Sequence, residues 1–143
     1  MLEIKNKKAY YDYFVEQELE VGIELKGTEI KSIRKGSCNI RDSFAIIKNN
    51  ELYLLNMFIA KYEEGNRFNH DELRTRKLLA HKKEILKLNE YSSVSGYSIV
   101  PLKVYFKKNK VKILLGICKG KKNYDKREAI KVRDLERESK KLY

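Results

Sequence analysis

The chain has 143 residues, 36% of them Asp, Glu, Lys or Arg, and a formal net charge of +12 at pH 7. That length suits one domain and leaves no room for a second, and the charge suits a protein that works against a polyanion. The lack of a long apolar run, signal-type leader or lipidation motif argues against membrane insertion or export and predicts a cytoplasmic protein.

Along the chain, Tyr13, Val15, Val21, Ile23 and Leu25 recur at odd positions, so Tyr11 to Leu25 is expected to be an extended pair, with Gly22 permitting a bend or bulge. Thr28 can cap a short helix through Arg34, Glu29 favours its positive end, and Gly36 can take the left-handed stop. Ser43–Lys48 and Glu51–Asn56 read as a hairpin around Asn49-Asn50, a pair that tolerates positive φ. Asn56 to Ile59 is expected to extend its second arm. Tyr62 to Asp71, rich in turn residues, reads as a long polar loop. Arg76 to Ala80 is a candidate strand. Lys82 to Tyr91 is a candidate helix that puts Ile85, Leu88 and Tyr91 on one face.

Tyr97–Phe106 and Val111–Lys119 make a last hairpin across a Lys-Asn turn, where Pro101 requires an edge or a bulge. Several short strands with two inserted helices predict a mainly β chain. The architecture expected is an OB-type antiparallel barrel, although periodicity alone does not separate it from an SH3-like one. The expected division is a body over residues 1–119 and a basic tail over 120–143. The tail carries nine cations and five acids with a thin apolar stripe, Ile130 and Leu135, which suits a segment disordered when free that orders on binding.

Cys38 and Cys118 are far apart and outside any CxxC pair, so both are expected to be reduced and to bind no metal. His70 beside Asp71 has only His81 as a second histidine and no carboxylate cluster. No nucleophile–base pair or metal constellation is visible, which disfavours an enzyme and implies no cofactor. The cations instead suggest RNA. Lys7, Lys8, Lys31 and Arg34 lie on elements a small barrel could bring together, and Arg67, Arg74 and Arg76 are phosphate candidates. Asn66, Asn69 and Asp71 can either contact RNA or shape their own loop. From Lys103 to Lys122 there are eight lysines and no acid, among them Lys119, Lys121 and Lys122. Residues alone leave open a selective RNA partner, a general single-strand binder using exposed tyrosines, or an RNA-modifying enzyme.

Eight blocks in order carry a resemblance that covers nearly the whole chain. They are NKKA at Asn6, GTEIKS at Gly27, NIRDSFA at Asn39, LLNMFI at Leu54, GNRFNHD at Gly65, RKLLAHKKEI at Arg76, VPLKVYF at Val100 and GKKNYDKRE at Gly120. On these the chain resembles the SsrA-binding (small protein B) family of bacterial trans-translation. The resemblance implies an OB-fold protein that binds the tRNA-like domain of transfer-messenger RNA and promotes its delivery to stalled ribosomes. It implies that Glu29 belongs to the RNA-facing surface. It also implies that the tail, helical on the ribosome, occupies the empty decoding region of small-subunit ribosomal RNA and the messenger channel, through Tyr124, Asp125, Lys126 and Arg127. Functional links to elongation factor Tu and alanyl-tRNA synthetase follow from the same likeness. Tyr11, Phe58, Lys61, Glu72, Thr75 and Ala80 depart from residues frequent in the family, and the lost prolines at three of these positions predict a looser loop before Arg76.

Overall fold

The computed structural model describes residues 2–62, 69–94 and 96–121. Among them the chain is mainly β, with nine strands and three short helices. In chain order these are β1 (Glu3–Lys5), α1 (Lys7–Asp12), β2 (Tyr13–Ile23), α2 (Gly27–Arg34), β3 (Cys38–Asn39), β4 (Phe44–Lys48), β5 (Glu51–Leu55), β6 (Phe58–Ile59), β7 (Arg76–Leu79), α3 (Lys82–Ser92), β8 (Tyr97–Lys107) and β9 (Lys110–Gly120).

Seven strands form one antiparallel sheet in the order β1-β8-β9-β2-β7-β5-β4, and β3 pairs with β6 separately. The sheet curls enough for β4 to pack against β8, but no ladder joins its two end strands among the described residues. The core lies inside the curl, where Val21, Ile33, Leu52, Leu54, Leu78, Ile113 and Leu115 are buried. Alternation in β9 sends Val111, Ile113, Leu115 and Ile117 to that core, as the period of two requires. Leu88 is buried on α3, with Ile85 and Tyr91 packed beside it.

A bulge between Pro101 and Lys103 shifts the phase of β8. Ile99 and Val104 both reach the main core, while Val100 and Leu102 turn to a second cluster with Ala9 and Cys118, covered by α1. Pro101 therefore sits beside the β8 bulge, paired with Leu115 of β9 and beyond the end of the β1 ladder, which stops at Lys5 and Lys103. The bulge in β2 lies between Val15 and Gln17 and not at Gly22, which pairs with Lys112 on one side and Leu79 on the other.

Both hairpin turns are made by residues in the left-handed region: Asn49 and Asn50 (φ 53° and 62°), then Lys108 and Asn109 (φ 51° and 64°). Gly36 ends α2 at φ 78°. Three expectations are corrected. Tyr11 and Asp12 end a helix, Lys7–Asp12, and do not begin the strand, because Asn6 caps that helix by accepting a hydrogen bond from the Ala9 N–H at 3.1 Å and the two-residue alternation begins only at Tyr13. Asn56, at φ 61°, breaks the second arm of the first hairpin, so Phe58–Ile59 pair with β3 instead. Helix α2 starts at Gly27, one residue ahead of its expected cap, and Glu29 reaches back to the residue before it, its Oε1 accepting from the Lys26 N–H at 2.8 Å.

Candidate nucleic-acid interface

The centre of the α2–β7 region is a carboxylate held by two arginines. Helical spacing puts Glu29 on the same side as Ile33, so its side chain enters the body and has no exposed surface. Arg76 shares its side of β7 with Leu78 and is equally buried. Its Nε donates to Glu29 Oε2 at 2.6 Å and its Nη1 to the Met57 carbonyl at 2.6 Å, while Nη2 reaches the carbonyls of Asp71 and Glu72 at 3.3 Å. Arg74 completes the set: Nη2 donates to Glu29 Oε1 at 2.7 Å and Nε to Oε2 at 3.3 Å. Burial by itself pushes the Glu29 carboxyl up. The hydrogen bonds from Arg74, the Lys26 backbone and Arg76 outweigh it and hold the group below the usual carboxylate range.

This geometry separates residues the sequence grouped together. Glu29 and Arg76 were expected on the RNA-facing surface, and here both are spent inside the body on each other and on backbone carbonyls. A buried charge left without partners would be too costly for either to be free. Arg74 is the member that reaches water, with 29% of its side chain exposed. Asn69 shapes its loop: its Oδ1 accepts from the Tyr62 N–H at 2.9 Å and its Nδ2 donates to the Tyr62 carbonyl. Asp71 likewise accepts from the Leu73 N–H at 3.0 Å. His70 is buried, with Nε2 2.9 Å from the Ile59 carbonyl and Nδ1 2.9 Å from Thr28 Oγ1. Nε2 therefore donates to that carbonyl and Nδ1 bonds the threonine hydroxyl, a structural role for the ring.

Five further cations stand beside aromatic rings. Lys31 and Lys35 approach the Tyr62 ring, with Nζ 5.5 and 4.7 Å from its centroid, and Arg34 lies 5.3 Å from that of Phe106. Lys119 stands over Tyr97 at 5.4 Å. Lys121 stands over Phe14 at 5.1 Å and also donates to the Tyr10 carbonyl at 3.2 Å. Lys7 and Lys8 project from α1, and Lys8 pairs with Asp42 at 3.1 Å. Three acids, Glu16, Glu18 and Glu20, are exposed along β2, where Glu16 and Glu20 accept from the hydroxyls of Tyr97 and Tyr105. Asn66, Arg67, Lys122, Tyr124, Asp125, Lys126 and Arg127 lie outside the described residues.

Burial pushes both thiols up to about 12 and both are free, so neither is poised as a nucleophile. No group of three or more His, Cys, Asp or Glu among the described residues could hold a metal ion. No described helix is long and apolar enough to cross a membrane. The burial of Glu29 and Arg76 was missed in the sequence although a signal existed, since each falls in phase with apolar residues, Ile33 and Leu78, that had to face the core.

A curled antiparallel sheet with cations set beside rings defines a small basic β protein with a polyanion-facing surface. The model of the SmpB protein family matches residues 3–143, and the chain belongs to that family. It is 60% identical over 134 residues to the SsrA-binding protein of Staphylococcus epidermidis, covering 94% of this chain and 86% of that one. The same identity holds for the SsrA-binding protein of Staphylococcus aureus, at 94% and 87%. Among solved structures, a chain from "tmRNA-SmpB: a journey to the center of the bacterial ribosome" superposes with a TM-score of 0.75 at 43% identity, covering 94% of this chain and 95% of that one.

Proposed function

We propose that this protein binds transfer-messenger RNA through its tRNA-like domain and promotes its delivery to stalled ribosomes for trans-translation in the cytoplasm. The observation that carries the reading is 60% identity, over 94% of the chain, to SsrA-binding proteins. The fold supports it at 43% identity to a chain solved under the heading of tmRNA, SmpB and the ribosome. The curl of the sheet, with β4 against β8, suits an OB-type barrel.

In this reading the body grips RNA by shape and phosphate, and the division of labour follows the burial of each group. Arg74, Lys31, Arg34, Lys119 and Lys121 meet phosphates or stack on bases, with Lys7 and Lys8 on a second flank. Glu29 and Arg76 act indirectly, by fixing the guanidinium of Arg74. Asn66, Arg67 and Lys122 extend the RNA contacts. Residues 120–143 act as the tail, with Tyr124 stacking and Asp125, Lys126 and Arg127 engaging the decoding region and messenger channel of the small subunit. Elongation factor Tu and alanyl-tRNA synthetase act on the same RNA in this scheme. The protein itself binds and is not an enzyme.

The test is binding of purified protein to transfer-messenger RNA against an ordinary tRNA of similar size at about 0.15 M salt, where charges are screened within roughly 8 Å. Selective binding supports the reading. Equal, weak binding to both RNAs overturns it and leaves a general basic binder.

A further inference from the structure

We infer that a groove between α1 and the segment Cys38–Arg41 holds one nucleotide of an RNA strand, with its base on Tyr11 and its phosphates on Lys5, Lys7 and Arg41. The inference rests on the proposed function for the identity of the RNA and adds a place where that RNA is held. The groove has a volume of about 560 Å³, within the range of pockets that take small organic groups, and is shallow and open to solvent. Its floor is Asn6, Cys38 and Ile40, and its walls carry Lys5, Lys7, Lys8, Tyr11 and Arg41.

The two walls are fixed relative to each other before any ligand arrives. Asn6 is 3% exposed and uses its whole side chain for this: Nδ2 donates to the Ile40 carbonyl at 3.1 Å and the Pro101 carbonyl at 2.9 Å, while Oδ1 caps α1. Asn39 Oδ1 accepts from the Arg41 N–H at 2.8 Å, which sets the turn that carries Arg41. The NKKA and NIRDSFA blocks thus meet across one groove, each with one asparagine as its fastener. Binding at such a site orders little backbone.

The chemistry of the walls selects the ligand. Lys7 and Tyr11 are four apart on α1 and share a face. Tyr11 is 77% exposed, the largest value among the exposed hydrophobic side chains, although a free ring gains by leaving water. Lys5, Lys7 and Arg41 make no side-chain hydrogen bond or ion pair among the described residues, and the Lys8–Asp42 pair offsets one further cation. Three unneutralised cations beside an uncovered ring match a phosphodiester and an unpaired base. A duplex offers no free base face to Tyr11, so the strand here is unpaired.

Binding of full-length protein to transfer-messenger RNA is compared for wild type, Tyr11→Ala, Tyr11→Phe, Arg41→Gln and, as a control on the first hairpin, Lys48→Gln. Tyr11→Ala is expected to weaken binding on the order of 10-fold with an unchanged salt slope, since stacking carries no counterion term, and Tyr11→Phe is expected to keep it. Arg41→Gln is expected to reduce the slope of log K against log salt by about 0.7 to 0.9. Wild-type affinity in both Tyr11→Ala and Arg41→Gln overturns the groove while leaving the proposed function standing. If the wild type itself shows no preference for this RNA, the proposed function fails and the groove is judged separately. An unstructured oligoribonucleotide should then shift the NMR resonances of Tyr11, Lys7 and Arg41, and unmoved resonances overturn the inference.

Discussion

Glu29 Oε2 and Arg76 Nε lie 2.6 Å apart with neither side chain exposed to solvent. Removing either partner strands a buried charge, and removing Arg76 also strands the Met57 carbonyl that it satisfies. Arg76→Ala and Glu29→Ala are each expected to cost about 3–5 kcal/mol, and the double variant less than the sum. Urea denaturation of the four species checks this, and simple additivity would contradict it.

The same carboxylate sets an acid response. Its value in the folded protein is depressed, so its contribution to stability is complete above the ordinary Glu range near 4.3 and is lost as pH falls through the folded value. Wild type should therefore lose stability as pH falls below about 4.3, and Glu29→Gln, though less stable at neutral pH, should lose less over the same fall. Urea midpoints across that range decide it, with equal slopes as the adverse outcome.

Asn50 closes the first hairpin at φ 62°. A β-branched side chain in the left-handed region is strained, so Asn50→Val should cost about 1–2 kcal/mol and Asn50→Gly close to nothing. Thermal melts of the two variants are the measurement, and a stable Asn50→Val would count against the turn geometry.

At Gly116 a Cβ would lie 2.7 Å from Leu102 Cδ1 and 3.1 Å from Cys118 Sγ. Leu102 is fully buried at the β8 bulge and has nowhere to withdraw. Gly116→Ala is predicted to cost about 1–3 kcal/mol, the scale of an overpacked core. Gly116→Ala with Leu102→Val should recover part of that loss in the same denaturation assay.

Truncation after Gly120 removes residues proposed to act on the ribosome and leaves β9 whole. It should keep most of the affinity for transfer-messenger RNA while abolishing ribosome rescue in a reconstituted translation reaction. A truncated protein that still rescues would refute the proposed role of the tail.

What the sequence disclosed follows the range of the interactions involved. The two long hairpins were legible because Asn-Asn and Lys-Asn turns and alternating apolar residues act within a few positions, and Ile85 and Leu88 placed α3 correctly for the same reason. The six residues of α1 have no helical apolar period, and their cap is held by contacts to Ile40 and Pro101 that no local pattern encodes. β3 and β6, two residues each, exist only because tertiary packing brings them together. At the site, charge was legible and burial was not: Arg74 and Arg76 look alike as letters and fall in the same two-residue phase as Leu78, and what separates them is that β7 begins at Arg76, which is buried, and leaves Arg74 to meet water.

Asn6 bonds to a carbonyl 95 positions later in the chain, and β1 pairs with β8 alone. During synthesis at about 5–20 residues per second, the first strand and helix therefore wait roughly 5–20 s for their partner to be made. These two elements, made long before β8, are among the last pieces to dock, and proteolysis of nascent chains arrested before and after residue 101 should show their protection beginning only in the longer ones.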